Sequence, residues 1–312
     1  MAEPTGSLGV DILTVVGGTG FIGAAVVREL RDRGREVAVV TRNADKANAS
    51  FPGLGVKAVE TDARDADQLA ESLQQAEGVV VALAFDNYPM EDPAKGRTFQ
   101  EVDQKGAETV ASVARSAGVG HLVYLSGAGA APDAKYHWFR AKWNAEEAVR
   151  NSGVQFTILR PSWVYGPDDS SLNRMLGFGR FLPLIPVIGD GSRQMLQPIF
   201  VEDVARAVAA CFEKETARNQ VIEIGGPEVL TMDEVVKTAL EVSGRRRLIM
   251  HQPKPLMKLG ASLAQFIPGR PLTPDGVEFA AMPATVDNTA LHSILGIKLT
   301  PLADGLATYL GR

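Results

Sequence analysis

The chain has 312 residues, 45% hydrophobic and 22% charged, an ordinary globular composition long enough for one large domain with a lobe or for two domains. A net charge of −5 without any dominant acidic or basic block argues against a nucleic-acid footprint, and the lone cysteine, Cys211, excludes an intrachain disulfide. No run of about 18 apolar residues exists to cross a bilayer as a helix, and Met1–Gly9 lacks the apolar core with basic flanks of a secretory leader.

Residues 1–10 read as a flexible tail. The apolar run Asp11–Val16 predicts a first strand, and a helix follows over about 21–33, with Ile22, Val26, Val27 and Leu30 on one face and Gly34 placed to end it. Between them stands Gly17-Gly18-Thr19-Gly20-Phe21-Ile22-Gly23. A strand, a glycine turn and a helix form the context of a dinucleotide fingerprint, here spaced G-x-x-G-x-x-G. Gly17 can make the tight turn, Gly20 can let the backbone approach a pyrophosphate, and Gly23 can let the helix pack close to the strand. The free N–H groups and positive dipole end of the helix then face the phosphates.

Continuous apolar runs at 37–40, 56–59, 79–83, 121–125 and 155–159 predict further strands buried on both faces, with helices over 65–75, 99–116 and 136–151 between them. This alternation predicts an α/β fold, a doubly wound parallel sheet of Rossmann type over 11–164. After Arg160-Pro161 the rhythm breaks. Residues 165–200 are rich in glycine and proline, and helices recur near 203–214, 231–243 and 255–266. That half, 165–312, reads as a smaller, mainly helical substrate lobe with some segments returning to the first domain. Leu256–Ile267 can be an amphipathic membrane-contact helix or a helix packed on the lobe. Arg245-Arg246-Arg247 reads as solvated charge after a helix, and Cys211 as a buried helix position.

Arg42 lies just past the second strand, over the adenosine ribose in this fold. An acidic residue there binds the 2′-hydroxyl of NAD, whereas arginine suits the 2′-phosphate of NADP, so NADP(H) is expected ahead of NAD(H). Asp62 and Ala63 follow the third strand, where a carboxylate can accept from the adenine amino group. Leu83 and Ala84 end the fourth, where small residues permit backbone contact with ribose. The four histidines show no metal-ligand spacing, so no metal is expected.

The glycine stretch, Tyr124-Leu125-Ser126-Gly127-Ala128, Lys142 with Glu146-Glu147, Ile158-Leu159-Arg160-Pro161 and Tyr165-Gly166-Pro167 come in an order that resembles extended and atypical short-chain dehydrogenase/reductases, of the epimerase/dehydratase-like kind. Lys142–Pro167 is most similar to the branch containing the NAD(P)H-binding accessory subunit of respiratory complex I. The resemblance covers about residues 10–230 and implies that Pro161 and Ser162 lie by the nicotinamide. It also implies a tyrosine, lowered in pKa by a lysine four residues later, that moves the proton while hydride moves on the nicotinamide, with a nearby serine. This chain departs from that pattern. Trp138 stands four residues before Lys142, and Tyr136 is followed by Arg140. Either Arg140 takes the lysine role, or the tyrosine is lost and Lys142 only holds ribose hydroxyls. Ser126 is present, but the family's hydroxyl usually falls where Gly127 stands. Ser126, Tyr136, His137 or water remain as proton sources. Trp138, Trp143 and Trp163 can stack on a flat substrate or fill core.

Two functions follow. One is an NADP(H)-dependent oxidoreductase acting on a small or lipid-like carbonyl, sugar or quinone. The other is a non-catalytic NADP(H)-binding structural or redox-sensing protein. The expected partner is a small-molecule substrate, with no nucleic acid. The expected state is a monomer or homodimer in the cytoplasm, with room for a peripheral membrane or protein partner.

Overall fold

The computed structural model describes residues 12–179, 181–264, 266, 267 and 272–311. The tail at 1–10, Asp11 of the first strand and Gln265 of the last expected helix fall outside them. The strands are β1 (Ile12–Val16), β2 (Glu36–Thr41), β3 (Lys57–Glu60), β4 (Ala76–Val81), β5 (His121–Leu125) and β6 (Gln155–Pro161). After these come β7 (Trp163–Tyr165), β8 (Leu184–Ile188), β9 (Met195–Leu196), β10 (Pro198–Phe200), β11 (Gln220–Ile224), β12 (Leu230–Thr231) and β13 (Leu248–Gln252). The helices are α1 (Phe21–Asp32), α2 (Ala44–Ser50), α3 (Ala66–Leu73), α4 (Lys105–Ser116), α5 (His137–Asn151), α6 (Leu172–Phe178), α7 (Val201–Glu213), α8 (Met232–Val242), α9 (Lys254–Ala264), α10 (Pro274–Ala280) and α11 (Leu302–Leu310).

Seven strands form one parallel sheet in the order β11-β6-β5-β4-β1-β2-β3. Its strands are nearly all apolar because both faces are covered. Val26, Val27 and Leu30 of α1 pack with Val204 and Val208 of α7 on one face. Leu69 and Leu73 of α3 pack with Val110 of α4 and Val149 of α5 on the other. The direction of winding reverses between β1 and β4, and the crevice outside the carboxyl ends of those strands is where such sheets bind ligands.

The expected long helix 99–116 is broken. Phe99–Gln104 winds as a π-helical turn, and α4 follows it. The stretch 165–200, read as loop, carries α6 and three short strands. β8 pairs with β13, β9 with β12 and β7 with β10. Around them Tyr165, Leu176, Val187, Phe200, Val236 and Leu306 make a separate apolar core. α8 begins with a capping box, Thr231 and Glu234 each bonding the other's backbone N–H. Cys211 is buried, and burial pushes its thiol up to about 12, so it is inert packing in α7.

Candidate nucleotide and substrate site

The glycine loop is built as only glycine allows. Gly17 has φ +86°, and a Cβ there would come within 2.5 Å of the Ala82 carbonyl oxygen at the end of β4. A Cβ on Gly23 would overlap the Gly17 carbonyl oxygen, so this glycine sets how closely α1 approaches the turn. Gly20 is the N-cap of α1 and supplies no side-chain cap. The first-turn N–H groups are therefore left for an anion, and no acidic side chain stands in that turn to compete. Thr19 Oγ1 lies 3.2 Å from Thr41 Oγ1, tying the loop to the end of β2.

A cleft of about 270 Å³ starts at this turn. Of the expected residues it gathers Gly20, Phe21, Ile22, Leu83 and Ala84 with Ser126, Lys142, Pro161 and Ser162. Gly17, Gly18, Thr19 and Gly23 are not among its lining residues, nor is Ala63, which packs near Gly106 of α4. Arg42 is half-exposed at the end of β2, 3.7 Å from Asp86, which Arg97 also holds at 3.0 Å. The Asp62 carboxylate takes the Arg64 guanidinium side-on, at 2.9 and 2.7 Å, which holds its pKa below the usual carboxylate value. A depression of about 440 Å³ between the sheet and α3 contains none of the expected site residues.

The expected polar site residues of the cleft, Ser126, Lys142 and Ser162, are already engaged. Lys142 is nearly buried, with its ammonium 2.6 Å from Asp103 and 3.3 Å from the Leu125 carbonyl oxygen, to which it donates. Asp103 is fully buried. Burial raises its pKa, and the Lys142 ammonium opposes that rise. Ser126 Oγ donates to Glu146 Oε1 at 2.5 Å. Glu146, also fully buried, takes Arg160 Nε and Nη2 at 2.9 and 2.7 Å and Arg150 Nη2 at 2.7 Å. The Lys142, Glu146 and Arg160 positions thus brace α5 against β5 and β6. Ser162 Oγ donates to the Gln197 carbonyl oxygen at 2.5 Å.

Two expected proton sources point elsewhere. Tyr136 Oη donates to Glu278 Oε2 at 3.0 Å, and its ring stacks on Trp138 at 4.4 Å. His137 Nε2 lies 2.7 Å from Glu91 Oε2. Glu91, His137 and Asp275 each place one ligand-type atom within 4.8 Å of the others, a grouping that residues so far apart in sequence could not announce. Trp138 and Trp163 line the cleft, whereas Trp143 lies under the guanidinium groups of Arg150 and Arg160.

Sequence reasoning missed Asp103 and Tyr88. Asp103 had a signal, since it falls in the apolar stripe that also holds Phe99, Ala107, Val110 and Ala114. Tyr88 had none, because it sits in the irregular segment after β4. It lines the cleft, with its ring against Phe85, Phe99 and Phe279. Burial and the Asp103 carboxylate hold its phenol well above the ordinary value. At Gly127 an added Cβ would meet open space, so the hydroxyl missing there is not excluded by crowding.

Residues 17–215, from the first glycine of the loop to just beyond α7, match the model of an NAD(P)H-binding family. The chain belongs to that family. A relative from Arabidopsis thaliana, named NADH dehydrogenase (ubiquinone) 1 alpha subcomplex subunit 9, mitochondrial, is 29% identical over 262 residues, covering 82% of this chain and 64% of the relative. The chain therefore spans just under two thirds of that protein's length. A Caulobacter vibrioides protein named ceramide reductase is 27% identical, over 78% of this chain and 74% of its own. Among solved structures, MoeE5 in complex with UDP-glucuronic acid and NAD superposes with a TM-score of 0.74 at 22% identity, covering 96% of this chain and 97% of its own, which shows the shared fold.

These relatives correct two expectations. The cytoplasmic placement is overturned by relatives named as mitochondrial. The expectation of a monomer or homodimer is overturned by the same proteins, whose names make them subunits within a larger assembly. Length, net charge and the want of a spanning helix carry no information about either, because an assembly surface need not differ in composition from the rest of a protein's surface.

Proposed function

We propose that this NAD(P)H-binding protein is an NADP(H)-dependent reductase that delivers hydride to a carbonyl or quinone carbon presented beside Lys142 and Ser162. One observation carries the reading. At its nicotinamide side the cleft adjoins a second, largely apolar chamber of about 340 Å³, with Tyr88, Trp163, Gln194 and Phe279 lining both. A nucleotide held only as a structural ligand has no use for a substrate-sized cavity at its reactive end. Arg42 favours NADP(H), since no carboxylate stands in the ribose position after β2 and its guanidinium is half-exposed.

With Trp138 in place of the usual tyrosine, the proton for the developing alkoxide comes from Tyr88. Burial keeps this phenol protonated near neutral pH, so it is present as a donor when the developing alkoxide becomes basic enough to take its proton. Lys142, held by Asp103, positions ribose hydroxyls. Anaerobic mixing with NADPH and a panel of ketones and quinones tests the reading. Nicotinamide absorbance decays with at least one carbonyl class, and a nucleotide that binds yet survives the whole panel contradicts it.

The second reading is a nucleotide-holding subunit of a respiratory assembly. The specific observation for it is that Ser126 and Lys142 are both already committed to buried carboxylates. It predicts tight NADPH binding with no oxidation in the same experiment.

A further inference from the structure

The chamber of about 340 Å³ beside the cleft is lined mostly by apolar side chains, with Ser170, Ser171 and Arg174 among its polar ones. Met90, Met175, Phe178, Val187, Ile188 and Met257 line it, drawn from the segment after β4 and from α6, β8 and α9. Methionine-rich walls adapt to flexible hydrocarbon more readily than to a rigid polar ring.

Among the side chains that line both spaces, Gln194 carries a buried acceptor that the protein does not satisfy. Gln194 is 8% exposed and lines both spaces. Its Nε2 donates to the carbonyl oxygens of Ala280 and Met282, both at 2.9 Å, which fixes the orientation of the amide. Its Oε1 is buried without a partner among the described residues. A buried acceptor in that state is costly until a donor arrives.

The rim is apolar as well. Phe178 is 47% exposed, and its carbonyl oxygen accepts from the N–H groups of Phe181 and Leu182, which are 90% and 45% exposed. Arg247 Nε donates to the neighbouring Gly179 carbonyl oxygen at 2.7 Å, placing exposed Arg245 and Arg246 beside this edge. α9 turns Met257 into the chamber while Leu256, Leu259 and Leu263 stay exposed.

We infer that the chamber receives the hydrocarbon tail of an amphiphile whose head donates a hydroxyl or amide hydrogen to Gln194 Oε1 and extends its reducible carbon into the cleft. This rests on the reductase reading only for the fate of that carbon. The tail itself is reached from an anionic lipid surface, across the apolar rim and its arginines, or from free solution.

Calorimetry on the full chain saturated with NADP⁺ tests the inference without turnover. The probes are alkan-2-ones from butanone to dodecan-2-one, each paired with its 1-hydroxy analogue. Kd falls about fourfold per added methylene until the chamber is full, and the hydroxyl tightens binding about tenfold. Met257→Trp, which fills the chamber from an exposed helix, abolishes the dependence on tail length and spares the shortest ketones. Gln194→Met abolishes the gain from the hydroxyl. Because it also loses two structural bonds, the paired ligands on the unaltered chain decide if that variant fails to fold. A Kd independent of tail length, or a hydroxyl that brings no gain, overturns the assignment. Tail-dependent binding without NADPH oxidation sinks the reductase reading and leaves the chamber assigned, whereas oxidation of short ketones with tail-independent binding does the reverse. Co-sedimentation with phosphatidylglycerol vesicles but not phosphatidylcholine vesicles, lost in Arg246→Glu, identifies the membrane as the source. No co-sedimentation assigns it to solution.

Discussion

Arg42, Tyr88 and Lys142 divide the work between binding and chemistry. Among the described residues the Arg42 guanidinium is held by Asp86 at 3.7 Å, with the Asp62 carboxylate also in its field, and can turn from them to a 2′-phosphate. Charge-assisted hydrogen bonds of this kind contribute about 1.5–3 kcal/mol, so Arg42→Glu weakens NADPH by about tenfold to a hundredfold while NADH changes little. Equal changes for the two nucleotides in fluorescence titration remove Arg42 from the ribose site. Tyr88→Phe lowers the reductase kcat by about 10² or more with little effect on nucleotide affinity. Adding Trp138→Tyr to that variant restores a phenol four residues before Lys142 and recovers part of the rate, which a purely structural role for Tyr88 would not allow. Lys142, Ser126 and the glycine loop were legible in the sequence because they sit at fixed offsets on one strand, one turn and one helix. Their partners were not. Asp103 and Glu146 act through contacts that the sequence leaves unspecified, and Tyr88 lies where no periodicity operates.

Elements with one strong period were read to within a few residues. β5 falls on residues 121–125 as expected, and α7 starts two residues early. The missed elements are those whose signal is weak or interrupted. β8 and β9 are short pieces set between prolines and glycines, and β11, at the sheet edge, mixes polar Gln220 and Glu223 with apolar residues in no regular period. The π-helical turn at Phe99–Gln104 is invisible in a helical pattern, and it carries Asp103, the partner of Lys142. One prediction belongs to β5. His121 is buried against Thr157 and the Phe212 ring, and burial lowers its pKa from 6.5 to about 4. The unfolded chain takes up this proton first. Stability from the neutral ring is complete above about pH 6.5 and lost as pH falls toward 4, on the order of 3 kcal/mol in all. Asp169 acts oppositely, since burial raises its pKa from 3.8 to about 6 and its neutral form becomes the easier one to keep folded in acid. Comparing wild type with His121→Gln cancels that contribution. In urea unfolding between pH 7 and pH 4 the variant shows the shallower loss, and parallel curves rule the His121 assignment out.

At the scale of the whole molecule, the sheet supplies a nucleotide cleft and the segments after Pro161 supply the walls beyond it. Tyr88, Trp163, Gln194 and Phe279 meet at the junction from four separate stretches of chain, which is why no local motif announces the chamber. The same segments carry the exposed apolar residues of α9 and of the edge at Phe181 and Leu182. Relatives named as NADH dehydrogenase (ubiquinone) subunits and a relative named ceramide reductase are both similar to this chain in sequence. What separates their readings is whether hydride leaves the nucleotide. The direct measurement is a single turnover with NADPH deuterated at nicotinamide C4, mixed with a long-chain ketone and analysed by mass spectrometry. The reductase account predicts deuterium on the carbinol carbon of the product. Recovery of NADPH with its label intact and the ketone unchanged contradicts it.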